Sequence, residues 1–391
     1  MLNYGALNKD HIQLQLPFPE NENFLLARIG ATSPDFPGSS AHPKGYILGA
    51  ATGFSKENVK IRAFAELVER LSAFSAGVEN KENTVTKKNV SESWYKDYMF
   101  WAPPNIEVSW VNGINLSNSC DHLVPALLSY LNWRPIEGKR QIFLKPSATG
   151  LAAHTNKEAS IINALLEVVE RDIAMISWRL PRWKVRKLNQ NILKNEYHKL
   201  IKELSLKVEL WNLGELFGIP VVLSALSKAD NTCLTIGTCT AETLEYGVEK
   251  SLNEALMLQW SIRQIDQSKT IETPKNSLDH VLWAYQNGPT VLKHFHGLED
   301  FRNSGPYLDF TNLEIVISNL KQIYKSPIFY VDVSDQTAKN EGWFVSRCII
   351  PDAVPRETNF EEKNIFHPRY KRLQKAYNFD EILNELPHPY G

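Results

Sequence analysis

Two segments of the chain repeat one pattern of apolar and charged positions. From Ala63 the sequence runs AFAELVERLSAF, and from Ala164 it runs ALLEVVERDIAM. Apolar residues recur three and four places apart in both, which predicts amphipathic helices. In the first, Phe64, Leu67, Val68 and Leu71 fall on one arc and Glu66, Glu69 and Arg70 on another. Taken alone, that is also the pattern of a surface helix with a solvated charged face. In the second, Leu165, Leu166, Val168, Val169, Ile173 and Ile176 cover nearly the whole circumference. Glu167, Glu170 and Arg171 therefore stand on a helix that reads as buried, where charges must be paired or bind something. The approaches echo too: AATGFSKE precedes the first copy and SATGLAAHTNKE the second. The pattern predicts two halves related by a duplication, carried by residues 48–80 and 145–180.

Strand-like segments alternate with helical ones along the rest of the chain. IEVSWVNGINL predicts a strand and a turn at Asn112–Gly113. RQIFLKPSATG predicts a strand entering a glycine turn. GIPVVLSALS and CLTIGTCT predict a strand pair, and IFYVDVSD and FVSRCIIPDAV two further strands. TLEYGVEKSLNEALMLQWSIRQ predicts a third helix with Lys250 and Glu254 one turn apart. That spacing is an ordinary i,i+4 pair, and it gains weight only beside the other two helices. The proline-rich patches SPDFPGSSAHPKG and WAPPNIEVSW are too short for flexible tethers. The fold class is mixed α/β in a single domain spanning 1–391, without an internal boundary.

Composition narrows the functional classes. With 391 residues, 43% of them apolar, and a formal net charge of −1, the chain can bury a large core and shows no general nucleic-acid-binding character. MLNYGALNKDHIQLQLPFPE lacks the pattern of a signal peptide, and no apolar run approaches membrane-spanning length. Cys120, Cys233, Cys239 and Cys348 are scattered without metal-ligand spacing and read as reduced thiols of a cytoplasmic protein. His294 and His296 in KHFHGLED lack a third ligand and read as a surface or loop pair.

Two carboxylates and an arginine, in two copies, suit divalent cations and phosphates. Mg²⁺ is commonly held by one or two carboxylates plus substrate phosphates, and the arginine fork matches phosphate oxygens. Neither G-x-x-x-x-G-K-[ST] nor G-x-G-x-x-G occurs. ATP would thus be held by carboxylate-bearing helices through metal, not by a glycine loop.

Five motifs in order carry a family resemblance. They are the E-x-x-E-R helix at Glu66–Arg70 behind GFSKENVKIRAFA, then SATGLAAHTNKEASIINALLEVVERD, then Lys250-x-x-x-Glu254, then FYVDVSDQTAKNEGWFVSRCIIPDAVP, and last the terminal LPHPYG. The chain resembles YcaO-domain proteins, the ATP-using component of azoline-forming peptide synthetases. The resemblance implies that Glu66, Glu69, Glu167, Glu170 and Glu254 ligate Mg²⁺ directly or through water. It implies that Arg70, Arg171 and Lys250 contact the phosphates of ATP, with Ser147 and Asn163 around the nucleotide. It also implies that the tail 386–391, with Pro387, Pro389 and the Gly391 carboxylate, projects toward the active site. Four positions depart from the family pattern: Arg62 for serine, Thr149 for asparagine, Lys250 for arginine, and Gly391 for a terminal proline.

The implied activity is phosphorylation of backbone amides in a ribosomally made precursor peptide, converting Cys, Ser or Thr to thiazolines or oxazolines in bacteriocin-type biosynthesis. Activation of an amide for thioamide or amidine formation is the enzymatic alternative, and a catalytically silent peptide-binding scaffold is the alternative of another class. Because the motifs begin early, no appended leader-binding domain is expected. An E-one-like or other leader-recognition partner is expected instead, with a flavin-dependent dehydrogenase in the same complex. Homodimerisation is left open, and neither nucleic acid nor membrane is expected as a partner.

Overall fold

A computed structural model of the chain describes residues 11–32, 46–79, 85–88, 107–131, 133, 147–303, 305–379 and 381–391. Strands β1 (Gln13–Gln15), β2 (Leu25–Thr32) and β3 (Tyr46–Gly53) form an antiparallel sheet, and helix α1 (Lys56–Glu79) packs back on it. Strands β4 (Val85–Lys88), β5 (Glu107–Asn115) and β6 (Cys120–Pro125) pair antiparallel, and the one-turn helix α2 (Ala126–Ser129) follows. Strand β7 (Leu151–His154) leads into α3 (Lys157–Arg179). Then come β8 (Lys184–Lys187), α4 (Asn195–Glu203), β9 (Lys207–Asn212), β10 (Val221–Ser227), β11 (Thr235–Thr240) and α5 (Leu244–Ile262). The chain continues through α6 (Ser277–Gln286), α7 (Gly288–Gly297), β12 (Glu299–Asp300), α8 (Leu313–Ile323), β13 (Phe329–Asp332), α9 (Gln336–Asn340), β14 (Phe344–Ile349) and α10 (Pro368–Tyr377). The second sheet has the order β11-β10-β9-β8-β12, and the third runs β4-β5-β13-β14-β7 with β6 added to β5.

This is the mixed α/β class that the alternating pattern predicts. The expected pairs form: β10 is antiparallel to β11, with Val221 opposite Thr240, and β13 is antiparallel to β14, with Phe329 opposite Ile349. Helix α3 begins where Asn156 accepts from the Ala159 N–H, satisfying a donor the first turn leaves free. It is buried nearly all round, with Leu165, Val169, Ile173, Met175, Ile176 and Trp178 in the largest core cluster. On α1, Phe64, Leu67, Val68 and Leu71 are buried as their arc predicts.

Asp172, the last residue of the second E-R-D, serves the scaffold. It is fully buried, 2.9 Å from Arg369 of α10, and accepts from the Tyr324 hydroxyl (2.8 Å) and the Val354 N–H (2.8 Å). This network fixes the C-terminal third of the chain onto the helix that bears Glu167 and Glu170.

The turn expected at Asn112–Gly113 is not there. Both residues lie inside β5, opposite Leu123 and His122 of β6, and the turn falls at residues 116–119. A Cβ at Gly113 would meet the Tyr330 carbonyl oxygen and Val124 Cγ2 at 2.8 Å each. Glycine there permits a close backbone approach, not a reversal. Of RQIFLKPSATG, only Ser147–Gly150 falls within the described residues, where Gly150 takes the positive φ (82°) of a glycine turn. Residues 33–45 and 101–106 of the proline-rich patches lie outside the described residues.

Candidate active site

Small residues let two helices, α1 and α5, lie unusually close to the strands that lead into them. In β3, a Cβ on Gly49 would fall 2.0 Å from the Ala63 carbonyl oxygen and 2.7 Å from the Leu67 nitrogen. In β11, a Cβ on Gly237 would stand at the same 2.0 and 2.7 Å from the Ser251 oxygen and the Ala255 nitrogen. In each of the three strand–helix units a helix glutamate reaches a backbone N–H of the strand or of the turn that opens it. Glu66 of α1 accepts from Ala50 (2.8 Å), Glu167 of α3 from Gly150 (2.9 Å), and Glu254 of α5 from Thr238 (2.7 Å). One carboxylate oxygen is used on the strand, and the other is left to partner elsewhere.

The second glutamate of α3 crosses to the next unit. Glu170 Oε1 accepts from Thr238 Oγ1 (2.8 Å) and Oε2 from the Thr240 N–H (3.0 Å), both on β11. Arg70 pairs with Glu66 at 2.5 Å and donates to the Leu48 carbonyl at 2.8 Å. Arg171 lies 3.7 Å from Glu167 and 3.9 Å from Glu170. The Lys250 ammonium sits 4.7 Å over the Tyr246 ring.

These groups line one cavity of about 620 Å³. Glu66, Glu69, Arg70, Asn163, Glu167, Glu170, Arg171, Lys250, Glu254 and Gly391 all lie on its wall. Ser147 does not: its hydroxyl accepts from the Thr149 N–H (3.1 Å) and its carbonyl from Arg347 (2.7 Å), which shapes the loop whose Ala148 and Thr149 do reach the cavity. Pro387 and Pro389 are buried away from the wall in the tail that carries Gly391 to it. On α5, the positions matching the second glutamate and the arginine of the other helices are Met257 and Leu258, an apolar stretch of wall against which Gly391 packs.

The tail is stitched to the far end of α3. Trp178 Nε1 donates to the Leu386 carbonyl (3.1 Å), and Arg179 donates to the carbonyls of Asn384 (2.6 Å) and Leu386 (2.8 Å). The Tyr390 hydroxyl donates to the Ala174 carbonyl at 2.9 Å. One helix thus carries Glu167 and Glu170 and also holds residues 384–390.

Arg356 was invisible in the sequence. It lies on the cavity wall, and burial together with the Arg171 charge pulls its pKa down to about 9. It follows PDAVP in a loop, so no helical or strand period marks it; its only signal is its position just after the fourth motif. His294 is a correction: it lies on α7, packed against Trp178 and bonded to the Ser177 carbonyl, while His296 on the same helix is at the surface as expected and bonds Glu209.

The charge balance of the cavity fits a divalent cation with an anionic ligand. Burial pushes the Glu69 carboxyl well up, and Glu167 and Glu66 push it further. Burial likewise raises Glu167, and raises Glu254 to about 7, with Glu170 adding to both. Carboxylates so raised are short of positive charge. Arg171 Nε and Arg356 Nη1 are buried without a hydrogen-bond partner, as donors awaiting an anionic oxygen. Among the described residues no three His, Cys, Asp or Glu side chains already converge as a metal cage. A Mg²⁺ ion shared with phosphates needs only one or two carboxylates.

A donor set of this kind, on helices and without a glycine loop, is chemically suited to a cation and a phosphate-bearing ligand. The family model of the YcaO cyclodehydratases, which are ATP- and Mg²⁺-binding, matches residues 50–354, and the chain belongs to that family. An uncharacterised protein of Methanothermobacter thermautotrophicus is 25% identical over 263 residues, 63% of this chain and 65% of its own length. Among solved structures, a heterocyclase in complex with substrate and cofactor superposes with a TM-score of 0.70 at 15% identity, covering 97% of this chain and 54% of that one. YcaO from Methanopyrus kandleri, bound with AMPPCP and Mg²⁺, gives 0.57 at 18% identity over 94% and 88%. The E. coli microcin synthetase McbBCD complex with pro-MccB17 bound gives 0.63 at 14% identity over 88% of each chain. These likenesses establish the YcaO fold. The chain spans 65% of the curated relative and about half of the heterocyclase. No helix among the described residues is long and apolar enough to cross a membrane.

Proposed function

We propose that the chain is an ATP-dependent peptide cyclodehydratase subunit whose cavity holds Mg²⁺ and ATP. The observation that carries this reading is the convergence of five glutamates with Arg70, Arg171, Lys250 and Arg356 on one wall. Glu66, Glu69, Glu167, Glu170 and Glu254 hold the metal, directly or through water. The backbone N–H bonds to Glu66, Glu167 and Glu254 fix three of these carboxylates before any ion arrives. Arg70, Arg171 and Lys250 meet phosphate oxygens, and Asn163 lines the nucleotide's path; Arg356 joins them as a fourth cation. Ser147 keeps the loop before β7 in shape.

Bound ATP supplies a phosphoryl group to the amide oxygen of a peptide whose Cys, Ser or Thr side chain has added to the preceding carbonyl, and loss of phosphate with the amide proton leaves the azoline. The chain's own part is to orient the groups, exclude water and neutralise charge. Pro387 and Pro389 stiffen the tail and lower the entropy of ordering it. Gly391, which lines the cavity beside Leu258, is then held where the tail can take part in proton transfer from the peptide.

The substrate class is a ribosomally made precursor peptide, delivered by an E-one-like or other leader-recognition partner that raises its effective concentration, with a flavin-dependent dehydrogenase acting on the product. The two related strand–helix segments are read as products of a duplication. The test is MgATP-dependent loss of water from a Cys- and Ser-containing precursor peptide, with the amide oxygen labelled. Label in the released phosphate supports the reading; a thioamide product, or hydrolysis with no label transferred, overturns the azoline assignment.

A further inference from the structure

We propose that a stacked pair of neutral imidazoles, His280 of α6 and His388 of the tail, is the latch that positions Gly391 at the cavity, and that protonating the pair releases it. The proposal rests on the role given above to the tail, and it names the residues that enforce that role.

The rings lie face to face, with centroids 3.8 Å apart and planes 3° from parallel. Both residues are buried, at 0% and 1% exposure. Their bonding fixes which nitrogen carries hydrogen. His280 Nδ1 is 2.9 Å from the His388 carbonyl oxygen, which can only accept, so Nδ1 is the donor. His280 Nε2 has no hydrogen-bond partner. His388 Nε2 is 2.6 Å from the Glu357 carbonyl oxygen and is likewise the donor. His388 Nδ1 accepts from the Tyr390 N–H at 3.3 Å. Each ring is therefore satisfied in one neutral tautomer.

A second proton has no place on either ring. On His388 it would point at the Tyr390 N–H, and on His280 it would be a buried donor without an acceptor. Protonating both would stack two cations at 3.8 Å. The surrounding charges do not help. Arg179 of α3 and Arg356 face both rings and oppose a further positive charge, while Asp279, beside His280 on α6, favours one. The Glu357 carboxylate is taken by Arg179 at 2.5 Å. Burial, with these charges, lowers His280 to about 4 and His388 well below its ordinary value.

The latch acts on Gly391 through a short path. Only Pro389 and Tyr390 separate His388 from Gly391, the Tyr390 ring stacks on His388 with centroids 5.7 Å apart, and proline fixes the backbone between them. Upstream, Arg179 and Trp178 hold residues 384–386. Once the imidazoles part, the last residues keep the Tyr390 hydroxyl bond to the Ala174 carbonyl and the packing of Gly391 beside Leu258.

The direction with pH follows from the lowered values. The closed tail excludes protons that the open tail binds near the ordinary histidine pKa of about 6.5. The latch is therefore fully closed above that pH and weakens as pH falls. At about pH 5.5 each histidine favours opening by about tenfold, and the pair by up to about a hundredfold.

Hydrogen exchange on the full chain tests this, with rates corrected for intrinsic pH dependence. From about pH 7.5 to about pH 5.5, protection of residues 384–391 should fall tenfold to a hundredfold while residues 164–176 of α3 keep theirs. His280→Phe keeps a flat ring but removes one titrating group, so its tail should lose about tenfold or less. His280→Ala should open the tail already at neutral pH. Tail protection independent of pH in wild type, or lost only together with the α3 core, overturns the latch. MgATP affinity measured on the same samples separates the two claims. A tail that opens on acidification in a protein that binds no nucleotide sustains the latch and sinks the site assignment. Tight MgATP binding with an unresponsive tail sinks the latch alone.

Discussion

Gly237→Ala adds a single methyl group at the contact that sets the third glutamate. The new Cβ would lie 2.0 Å from the Ser251 oxygen, 2.7 Å from the Ala255 nitrogen and 2.9 Å from Glu254 Cβ, where real contacts keep at least 3.0 Å. Two of these atoms belong to the α5 backbone, so no rotamer change relieves them. The helix must retreat by about 1 Å, with an overpacking cost of about 1–3 kcal/mol. That retreat stretches the 2.7 Å bond from Thr238 N–H to Glu254 beyond hydrogen-bond range, losing about 1.5–3 kcal/mol more for a bond to a charged acceptor. The expected loss is about 2.5–6 kcal/mol in urea unfolding, with weaker MgATP binding because Glu254 has moved. Gly297→Ala is the control, since nothing lies within 4 Å of its Cβ position; it should be neutral or slightly stabilising. Gly49→Ala, with the same two short backbone distances on α1, should match Gly237→Ala. If Gly237→Ala unfolds at the wild-type urea midpoint and binds MgATP normally, the close-packed strand–helix unit does not set Glu254.

Arg171→Lys should lower kcat/KM for ATP at least about tenfold, because a point charge replaces a two-toothed donor; Lys250→Arg should keep near-wild-type values in the same assay. Removing residues 387–391 should abolish peptide dehydration while leaving nucleotide affinity, read by calorimetry, within about twofold of wild type, since the tail adds no cation to the wall. Asp172→Asn should cost about 1.5–3 kcal/mol in thermal or urea unfolding, because Arg369 would lose the nearer of its two carboxylate partners and keep only Asp352 at 3.5 Å.

The helices that build the site were legible because a charged patch on an apolar helix has a period and a physical consequence. Burial of Glu170 followed from the apolar circumference of α3, and Glu254 was found through its neighbours rather than its own spacing. What could not be read was long-range. The pairing of β7 with β14 joins residues nearly two hundred positions apart and leaves no local period. Thr238 and Thr240, which hold Glu170, look in the sequence like any polar strand residues. Arg356 sits in a loop without pattern. At Asn112–Gly113 the strongest turn signal in the segment misled, because glycine there answers to the Tyr330 carbonyl across the sheet and not to a reversal. His388 could be noticed as part of a proline-rich ending, but its partner His280, more than a hundred residues earlier, could not be.

The central claim is that the carboxylate-lined cavity is the Mg²⁺–ATP site. The most direct test is a crystal structure with a non-hydrolysable ATP analogue and Mn²⁺ in place of Mg²⁺, with anomalous scattering used to locate the metal. The account predicts metal peaks within about 2.0–2.6 Å of carboxylate oxygens among Glu66, Glu69, Glu167, Glu170 and Glu254, or one water removed from them, with phosphates against Arg70, Arg171 and Lys250. Nucleotide bound elsewhere, or a metal with no ligand or water-bridged ligand among those five glutamates, would contradict it.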